Sequence, residues 1–417
     1  MLELLYSIVV HFFILSSTQS RISVLNHTTT PVTPHFDRMS RRIKTRFLIL
    51  SDTHGLRFQA DRRPCEPVDV VIHCGDLTGD SKLHDFRQAI ELLKEINAPL
   101  KIVIAGNHDF SLDDLAFKQK ITEASRLAQE DLEGSIKAEY GDYGDARRLL
   151  DGHEGIVFLD EGSHQFTLDN DALLRVYASP YTPTTGNSSD WGFQYSGAHE
   201  FAIERGTDIV VTHGPPHGIM DMTTERQRIG CPQLFAAVAR AQPKLHCFGH
   251  VHSSWGAKLA AWRPIISDKP SHFNDVDNGK SVVVENLSRL KGSKFESAEA
   301  KEARQDAAER YRSQRCCQTS HCGGDDRPLS PAETLFINAA VMGADEELSQ
   351  YPWLVDIELE PSQGKTFDGV DPDDGLGATP DGERTRKRNG DMALPEEEDG
   401  RRKIPRLYGA TLSKNEY

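Results

Sequence analysis

Short runs of Val, Ile and Leu alternate with polar, helix-like stretches from residue 46 onward. Eight runs have the length of a β-strand and are apolar almost throughout, as strands covered on both faces are. They are RFLILSD (46–52), VDVVIHCGD (68–76), LKIVIAGNHD (100–109), LLRVYASP (173–180), TDIVVTHGP (207–215), KLHCFGHVH (244–252), LFINAAVM (335–342) and WLVDIELE (353–360). Residues 82–96 and 112–132 carry apolar side chains at helical spacing. The pattern predicts an α/β domain in which helices cover sheets.

The two ends of the chain and one internal segment depart from this pattern. Residues 1–38 contain an apolar, signal-like stretch that is too short to span a bilayer comfortably, followed by text that predicts no structure. We therefore expect an N-terminal extension at 1–38 and a domain at 39–361. A polar helical insertion is expected at about 262–330, because the helix around 297–314 has no apolar face. Residues 362–417 are rich in Gly, Asp, Pro, Arg and Glu and predict a disordered charged tail.

Charge and cysteine content narrow the class of partner and the compartment. The 417 residues carry a formal net charge of −15, which argues against a broad basic surface for duplex nucleic acid. Seven cysteines are an odd number without framework spacing, and CCQTSHC (316–322) is expected to be an exposed loop. We expect no stable membrane span and a cytoplasmic protein, with nuclear import as an option from the basic runs near the C-terminus. The secretory route is the alternative if the first 20 residues are a signal peptide.

Polar side chains with metal-binding chemistry follow the apolar runs. In open α/β sheets, ligands bind beyond the carboxyl ends of strands, so we expect these side chains to converge. They are Asp52 and His54, Asp76, Asn107 with His108 and Asp109, His213, and His250 with His252. The set is too large for one structural zinc and contains no thiolate, which favours two divalent ions. Asp76 could bridge the two ions, and a pair of ions can hold a hydroxide for in-line attack at phosphorus.

The order D-x-H, G-D, G-N-H-D, H and G-H-x-H resembles the calcineurin-like metallophosphoesterases. The resemblance covers about 46–260 and resumes at 335–360, and SDTHG, HCGDLT, GNHDF, SPYTP, THGPPHG and FINAA look like the small branch of metallophosphoesterase-domain proteins found in fungi and in animal brain. It implies a four-layer αββα sandwich with two mixed sheets flanked by helices. It also implies a ligand assignment: Asp52, His54, Asp76 and His252 on one metal, and Asp76, Asn107, His213 and His250 on the other. The metals are Mn, Fe, Zn, Ni or Mg, which the ligand types do not separate.

His108 is the histidine of the set that the resemblance leaves without a metal. We expect it to face the substrate as the general acid, with Asp109 holding its tautomer or capping the following turn. His217 and Trp191 are weaker candidates for substrate contact, and a turn or loop packing explains each of them equally well.

Three functions fit this set of residues. The favoured one is hydrolysis of a small phosphodiester, with a cyclic nucleotide as one option. The alternative is a phosphomonoesterase or protein phosphatase, but GDLTGDS and GNHDF lack the arginine of the family's GDxVDRG motif and depart from its GNHE motif. A non-catalytic scaffold of the same fold is the third, although every ligand position and His108 are present. Protein partners are not predicted.

Overall fold

The structure, a computed structural model, describes residues 42–128, 133–184, 191–324 and 327–362. The predicted extension at 1–38 and the tail predicted at 362–417 lie outside these ranges, apart from Ser362. None of the helices within the described ranges is long and apolar enough to cross a membrane.

Fifteen strands and seven α-helices make up the described chain. The strands are β1 (Ile43–Leu50), β2 (Val70–His73), β3 (Leu100–Val103), β4 (Ile156–Phe158), β5 (Gly162–Thr167), β6 (Ala172–Ser179), β7 (Thr182–Pro183), β8 (Gln194–Tyr195), β9 (Ile209–Thr212), β10 (Leu245–Phe248), β11 (Gly256–Ala261), β12 (Val282–Asn286), β13 (Cys317–His321), β14 (Glu333–Asn338) and β15 (Trp353–Pro361). The helices are α1 (Leu83–Lys94), α2 (Asp114–Ala128), α3 (Glu133–Tyr140), α4 (Asp145–Asp151), α5 (Pro232–Ala241), α6 (Leu287–Lys291) and α7 (Ala298–Gln314). All eight predicted strands are confirmed, and so are both predicted helices within the described ranges; residues 129–132 of the second predicted helix lie outside them.

Thirteen of these strands form two mixed sheets that meet at the end of β15, and β7 pairs with β8 in a separate two-stranded sheet. In the first sheet the order is β13-β15-β1-β2-β3-β4, and β1 to β4 are parallel. In the second the order is β12-β11-β14-β10-β9-β6-β5, with β14, β10, β9 and β6 parallel. The last residues of β15, Glu360 and Pro361, pair with Leu173 and Ala172 of β6 and so connect the two sheets.

Three clusters of buried apolar residues cover the faces of the two sheets. Alternate residues of β1, such as Phe47 and Ile49, belong to a core shared with β9, β10 and β14 of the other sheet. Leu48 and Leu50 point the other way and pack with α1 and α4. On the far side of the second sheet, Val210 packs with α5. The predicted αββα sandwich is thereby confirmed, and the continuous apolar runs follow from burial on both faces.

The segment predicted as a polar insertion takes part in both sheets. It contains the polar helix α7, whose buried residue is Tyr311, but it also supplies β12 to the second sheet and β13 to the first. The expectation that 316–322 is an exposed loop is wrong. Cys316, Cys317 and Cys322 are buried, and residues Cys317–His321 form β13, which pairs in parallel with β15. Main-chain hydrogen bonds at a sheet edge do not require apolar side chains, so the polar sequence CQTSH forms a strand although it lacks the apolar pattern of one.

Candidate metal centre

The strand ends that carry the predicted ligands meet where the two sheets face each other. Four of these residues have a left-handed backbone: Asp52 (φ 59°), His54 (φ 47°), Asp76 (φ 53°) and His250 (φ 67°). In a residue with a Cβ this conformation costs roughly 1–3 kcal/mol and persists only where the surroundings enforce it. Such strain accumulates at functional sites, and here it turns the side chains of successive loops toward one point.

One group of metal-binding atoms comes from Asp52, His54 and His252. Nε2 of His252 lies 3.2 Å from Oδ1 of Asp52 and 3.4 Å from Nε2 of His54. The main-chain N–H of His250 donates to both oxygens of Asp52 at 3.1 Å, which fixes the carboxylate. The loop after β1 and the loop after β10 are therefore joined through this carboxylate.

A second group comes from Asp76, His213 and His250. Oδ2 of Asp76 lies 3.3 Å from Nε2 of His213, which is also 2.9 Å from Oδ1 of Asn107. The rings of His213 and His250 have centroids 5.0 Å apart. Nδ1 of His213 donates to the carbonyl of Cys74 at 2.9 Å, so its Nε2 faces the other ligands.

Asp76 lies between these two groups, and its carboxylate also forms a third group of metal-binding atoms with His54 and His108. Its Oδ2 is 3.9 Å from Nε2 of His54 as well as 3.3 Å from His213, and its Oδ1 accepts the main-chain N–H of His108 at 2.8 Å. The structure thus brings together all seven residues predicted as metal ligands: Asp52, His54, Asp76, Asn107, His213, His250 and His252.

Glycines beside the ligands leave the space that the carboxylates occupy. A Cβ on Gly106 would lie 2.2 Å from Oδ1 of Asp76, and one on Gly249 would lie 2.0 Å from Oδ2 of Asp52. No real Cβ tolerates such distances. The glycine before each ligand motif is therefore required by close approach at these two positions.

Burial and the charges of neighbouring side chains shift the pKa values of the predicted ligands. Burial opposes ionisation of Asp52, but its hydrogen bond to His252 and the charges of His252 and His213 bring its pKa to about 2. Burial likewise acts to raise the pKa of Asp76, yet His213 and His108 hold it well below the usual range. Burial acts to lower the pKa of His213, while Asp76 raises it to about 9. Two anionic carboxylates are thus held together in a buried site.

Two other ligand imidazoles, those of His54 and His250, have lowered pKa values. Burial, assisted by His108, lowers the pKa of His54 to about 3, and burial with His213 lowers that of His250 to about 4. Neutral imidazole nitrogen and ionised carboxylate oxygen are the forms that bind metals. The donor set, with oxygen and nitrogen atoms converging and no thiolate, fits divalent cations of the hard-to-borderline type.

His108 lies at the edge of the ligand cluster and is oriented by a main-chain carbonyl. Its Nδ1 donates to the carbonyl of Gly79 at 2.7 Å. Its ring centroid is 4.7 Å from that of His54 and 4.0 Å from that of Trp191. Burial lowers the pKa of His108, partly offset by Asp76. The structure therefore places His108 beside the ligand His54, and the predicted substrate residue Trp191 beside His108.

Asp109 is not placed where the sequence suggested. Its carboxylate accepts four hydrogen bonds, from the main chain of Gly106, Leu77 and Thr78 and from the Thr78 hydroxyl, at 2.7–3.1 Å. None of these is to the His108 ring, whose Nδ1 bonds to Gly79 instead. Asp109 therefore joins the second motif to the third rather than holding the tautomer of His108. Burial raises the pKa of Asp109 to about 7, and the charge of Asp76 adds to this.

The structure directs His217 to a different set of contacts. Its Nδ1 is 3.2 Å from the carbonyl of Gly230 and 3.7 Å from Asp221, and its ring lies 5.5 Å from that of His272. These contacts stabilise the turn after β9. They agree with the alternative given for His217 in the sequence analysis, a residue of a turn.

Trp191 lies in a segment that also contains the aromatic residues Tyr181, Phe193 and Tyr195. Tyr181 packs on Phe193 and on His199, and Tyr195 stacks on His199 with ring centroids 4.8 Å apart. Trp191 is the aromatic residue of this loop that contacts His108. Loop packing therefore accounts for the two tyrosines and Phe193.

Two further residues beside the site, Gly79 and His73, are not among those predicted from the sequence. Gly79 acts through a carbonyl oxygen, which every residue type carries, so no sequence signal marks it. His73 is fully buried and its Nε2 lies 3.0 Å from the hydroxyl of Thr53, between two ligands. A histidine inside an apolar run was a usable signal, since a buried polar group needs a partner.

The comparison with family models agrees with this site. The model described as calcineurin-like phosphoesterase matches residues 45–254, which includes every predicted ligand. The chain belongs to this family.

The chain is also similar to individual proteins over about half of its length. Metallophosphoesterase domain-containing protein 1 of Homo sapiens and that of Mus musculus are each 31% identical over 223 residues, covering 51% of this chain and 62% of theirs. UPF0046 protein T07D4.2 of Caenorhabditis elegans is 29% identical over 237 residues, covering 53% of this chain and 55% of its own length. The matched part thus spans little more than half the length of these relatives.

Proposed function

We propose that the protein hydrolyses a small phosphodiester with the help of two divalent metal ions. The observation that carries this proposal is the position of Asp76, whose Oδ2 lies between His54 and His213 of the two ligand groups. When bound, two divalent ions would activate a water nucleophile and neutralise the phosphoryl oxygens as Lewis acids.

The protein's own residues supply the negative charge and the fixed geometry. The carboxylates of Asp52 and Asp76 interact with histidines and main-chain amides, and within the described chain neither is paired with Arg or Lys. Their charges therefore remain available to balance cations. Asn107 and His213 add an oxygen and a nitrogen ligand atom that follow strands of the two different sheets.

His108 is proposed to deliver a proton to the leaving oxygen. Because its Nδ1 proton is committed to the carbonyl of Gly79, the second proton of an imidazolium would sit on Nε2. Its contact with Trp191 limits rotation of the ring. A proton held at one defined atom is what a general acid requires.

Charge favours a diester over a monoester. A diester has one negative charge, whereas a monoester dianion usually gains from a bidentate arginine. The second and third motifs, GDLTGDS and GNHDF, contain no arginine. Trp191, packed on His108, offers a face to an aryl group or a nucleobase. The leading natural candidates are therefore 2′,3′- or 3′,5′-cyclic nucleotides.

A matched pair of substrates tests the proposal. The purified protein with Mn²⁺ is given bis(4-nitrophenyl) phosphate and 4-nitrophenyl phosphate, which release the same phenolate. We expect a higher kcat/KM for the diester. A higher kcat/KM for the monoester would support a phosphatase, and a metal-loaded protein that hydrolyses neither would support a scaffold.

A further inference from the structure

Each sheet contains a buried histidine that is hydrogen-bonded to a threonine beside a candidate ligand. Nε2 of His73, at the end of β2, lies 3.0 Å from Oγ1 of Thr53 in the first sheet. Nε2 of His246, in β10, lies 2.9 Å from Oγ1 of Thr212 in the second. All four side chains are fully buried. In both cases a histidine on one strand holds the ligand-bearing end of the neighbouring strand.

Thr53 occupies the middle of the most strained turn in the site. It lies between Asp52 and His54, whose φ angles are 59° and 47°. A turn with two such residues relaxes unless the surrounding structure holds it. The main chain is held by bonds to the loop after β2, and His73 adds the bond that fixes the Thr53 side chain.

Thr212 has a similar position next to His213. Its hydroxyl donates to the carbonyl of Gly214 at 2.7 Å, so it accepts from Nε2–H of His246. The threonine thereby joins the residues before and after the ligand and attaches both to β10. Nδ1 of His246 has no hydrogen-bond partner among the described residues, which agrees with a ring protonated at Nε2 alone.

Neither histidine is placed to bind metal. His73 and His246 belong to none of the groups of metal-binding atoms within the described chain, and each directs Nε2 to a hydroxyl. A buried polar side chain with one nitrogen unsatisfied is unfavourable for stability alone, since an apolar residue would avoid the cost. In each sheet the histidine bonds to a threonine that is adjacent in sequence to a predicted ligand, and a role at the site explains this placement.

We propose that the two histidine–threonine pairs are positioning pairs, which hold the loops after β1 and β9 in the geometry that binds metal. They touch neither metal nor substrate. The inference rests on the proposed function, since it presupposes a metal centre.

Removal of each hydroxyl tests the inference through metal affinity. Thr53→Val and Thr212→Val keep the side-chain shape and remove the hydrogen bond. We expect Mn²⁺ affinity, measured by calorimetry on the full chain, to fall about 10–100-fold in each, as for other residues that orient ligands. Thr334→Val is the matched control, because that buried β14 hydroxyl bonds to Pro243 and Trp262 instead. It should lower the melting temperature while leaving Mn²⁺ affinity as in the wild type.

A conservative replacement separates positioning from general destabilisation. His246→Gln retains an N–H near the place of Nε2, whereas His246→Leu does not. We expect His246→Gln to recover most of the Mn²⁺ affinity that His246→Leu loses. In the double variant His246→Leu/Thr212→Val, the loss of Mn²⁺ affinity should be smaller than the sum of the two single losses. Both substitutions remove the same hydrogen bond, that between His246 and Thr212.

The outcomes distinguish this inference from the proposed function. Wild-type affinity in Thr53→Val and Thr212→Val, or an equal loss in Thr334→Val, would overturn the positioning role alone. A wild-type chain that binds Mn²⁺ but cleaves no phosphoester would contradict the proposed function and leave the pairs in place. A wild-type chain that binds no Mn²⁺ would overturn both.

Discussion

Oδ2 of Asp76 lies 3.3 Å from Nε2 of His213, although the two residues follow strands of different sheets. Asp76 follows β2 and His213 follows β9. The site is therefore built across the face-to-face contact of the sandwich, and its geometry depends on how the two sheets pack.

Removal of the Asp76 carboxylate should disrupt both ligand groups. Asp76→Ala removes the carboxylate that lies between His54 of the first group and His213 of the second, and with it the charge that offsets the repulsion of two cations. His252→Ala removes a ligand from one group. We expect elemental analysis to find neither metal retained in Asp76→Ala and one retained in His252→Ala. Two metals retained in Asp76→Ala would show that this carboxylate is not shared.

Replacement of His108 should affect turnover rather than metal content. We expect His108→Ala to keep near-normal Mn²⁺ content and to lose about 10²–10⁴-fold in kcat, the usual value of a positioned acid. The loss should be smaller for diesters with good leaving groups, which need less protonation. A fall in metal content as large as the fall in kcat would make His108 a ligand instead.

An added methyl group at Gly249 should displace a ligand. Its Cβ would lie 2.0 Å from Oδ2 of Asp52, so Gly249→Ala is expected to reduce Mn²⁺ binding and activity together. Gly134→Ala is the control, because a Cβ there meets nothing within 4 Å and the residue lies in α3. The control should keep full metal affinity and gain up to about 1 kcal/mol of stability. Normal Mn²⁺ binding by Gly249→Ala would show that a Cβ at this position does not displace the Asp52 carboxylate.

The buried carboxylate of Asp356 allows a prediction about the stability of the first sheet that does not depend on the metal centre. It is buried in β15 and accepts from Nε of Arg46 at 2.8 Å, with Nζ of Lys44 at 3.1 Å. Burial acts to raise its pKa, but the hydrogen bonds to Arg46 and Lys44 lower it overall. A carboxyl with a lowered pKa contributes stability above its unfolded pKa and loses that contribution as the pH falls through the folded value.

Asp356→Asn should therefore lower the free energy of unfolding by about 1–3 kcal/mol at neutral pH. The difference from wild type should narrow below about pH 4. Asp151→Asn is the control, because its ion pair with Arg147 is exposed and should contribute less than about 1 kcal/mol. Equal denaturant midpoints for Asp356→Asn and wild type would show that the buried pair contributes nothing.

The ligands could be predicted from sequence because each follows an apolar run that already predicts a strand. Once parallel strands are expected, the positions beyond their carboxyl ends must lie close together. Asp52 and His213 were found in this way without any knowledge of the sheet order. The same logic failed for β13, whose letters CQTSH are polar and whose pairing with β15 is made by the main chain.

Hydrogen-bond partners were the part that sequence could not supply. Asp109 follows His108 directly, and adjacency suggested a contact between the two side chains. The structure turns the carboxylate toward Thr78 and leaves the imidazole to Gly79, because neighbouring side chains in a turn leave the main chain in different directions. Helix α5 was also overlooked, although Pro232 at its first position and the spacing of Leu234 and Val238 are usable signals.

The most direct test of the central claim is phosphodiesterase activity as a function of Mn²⁺ added to chelator-treated protein. Two ions that act together should give little activity at one equivalent and a plateau at about two, with metal content rising in parallel. The hydrolysis of bis(4-nitrophenyl) phosphate follows this directly. Full activity in the metal-free protein, or a plateau at one equivalent, would contradict a two-metal phosphodiesterase.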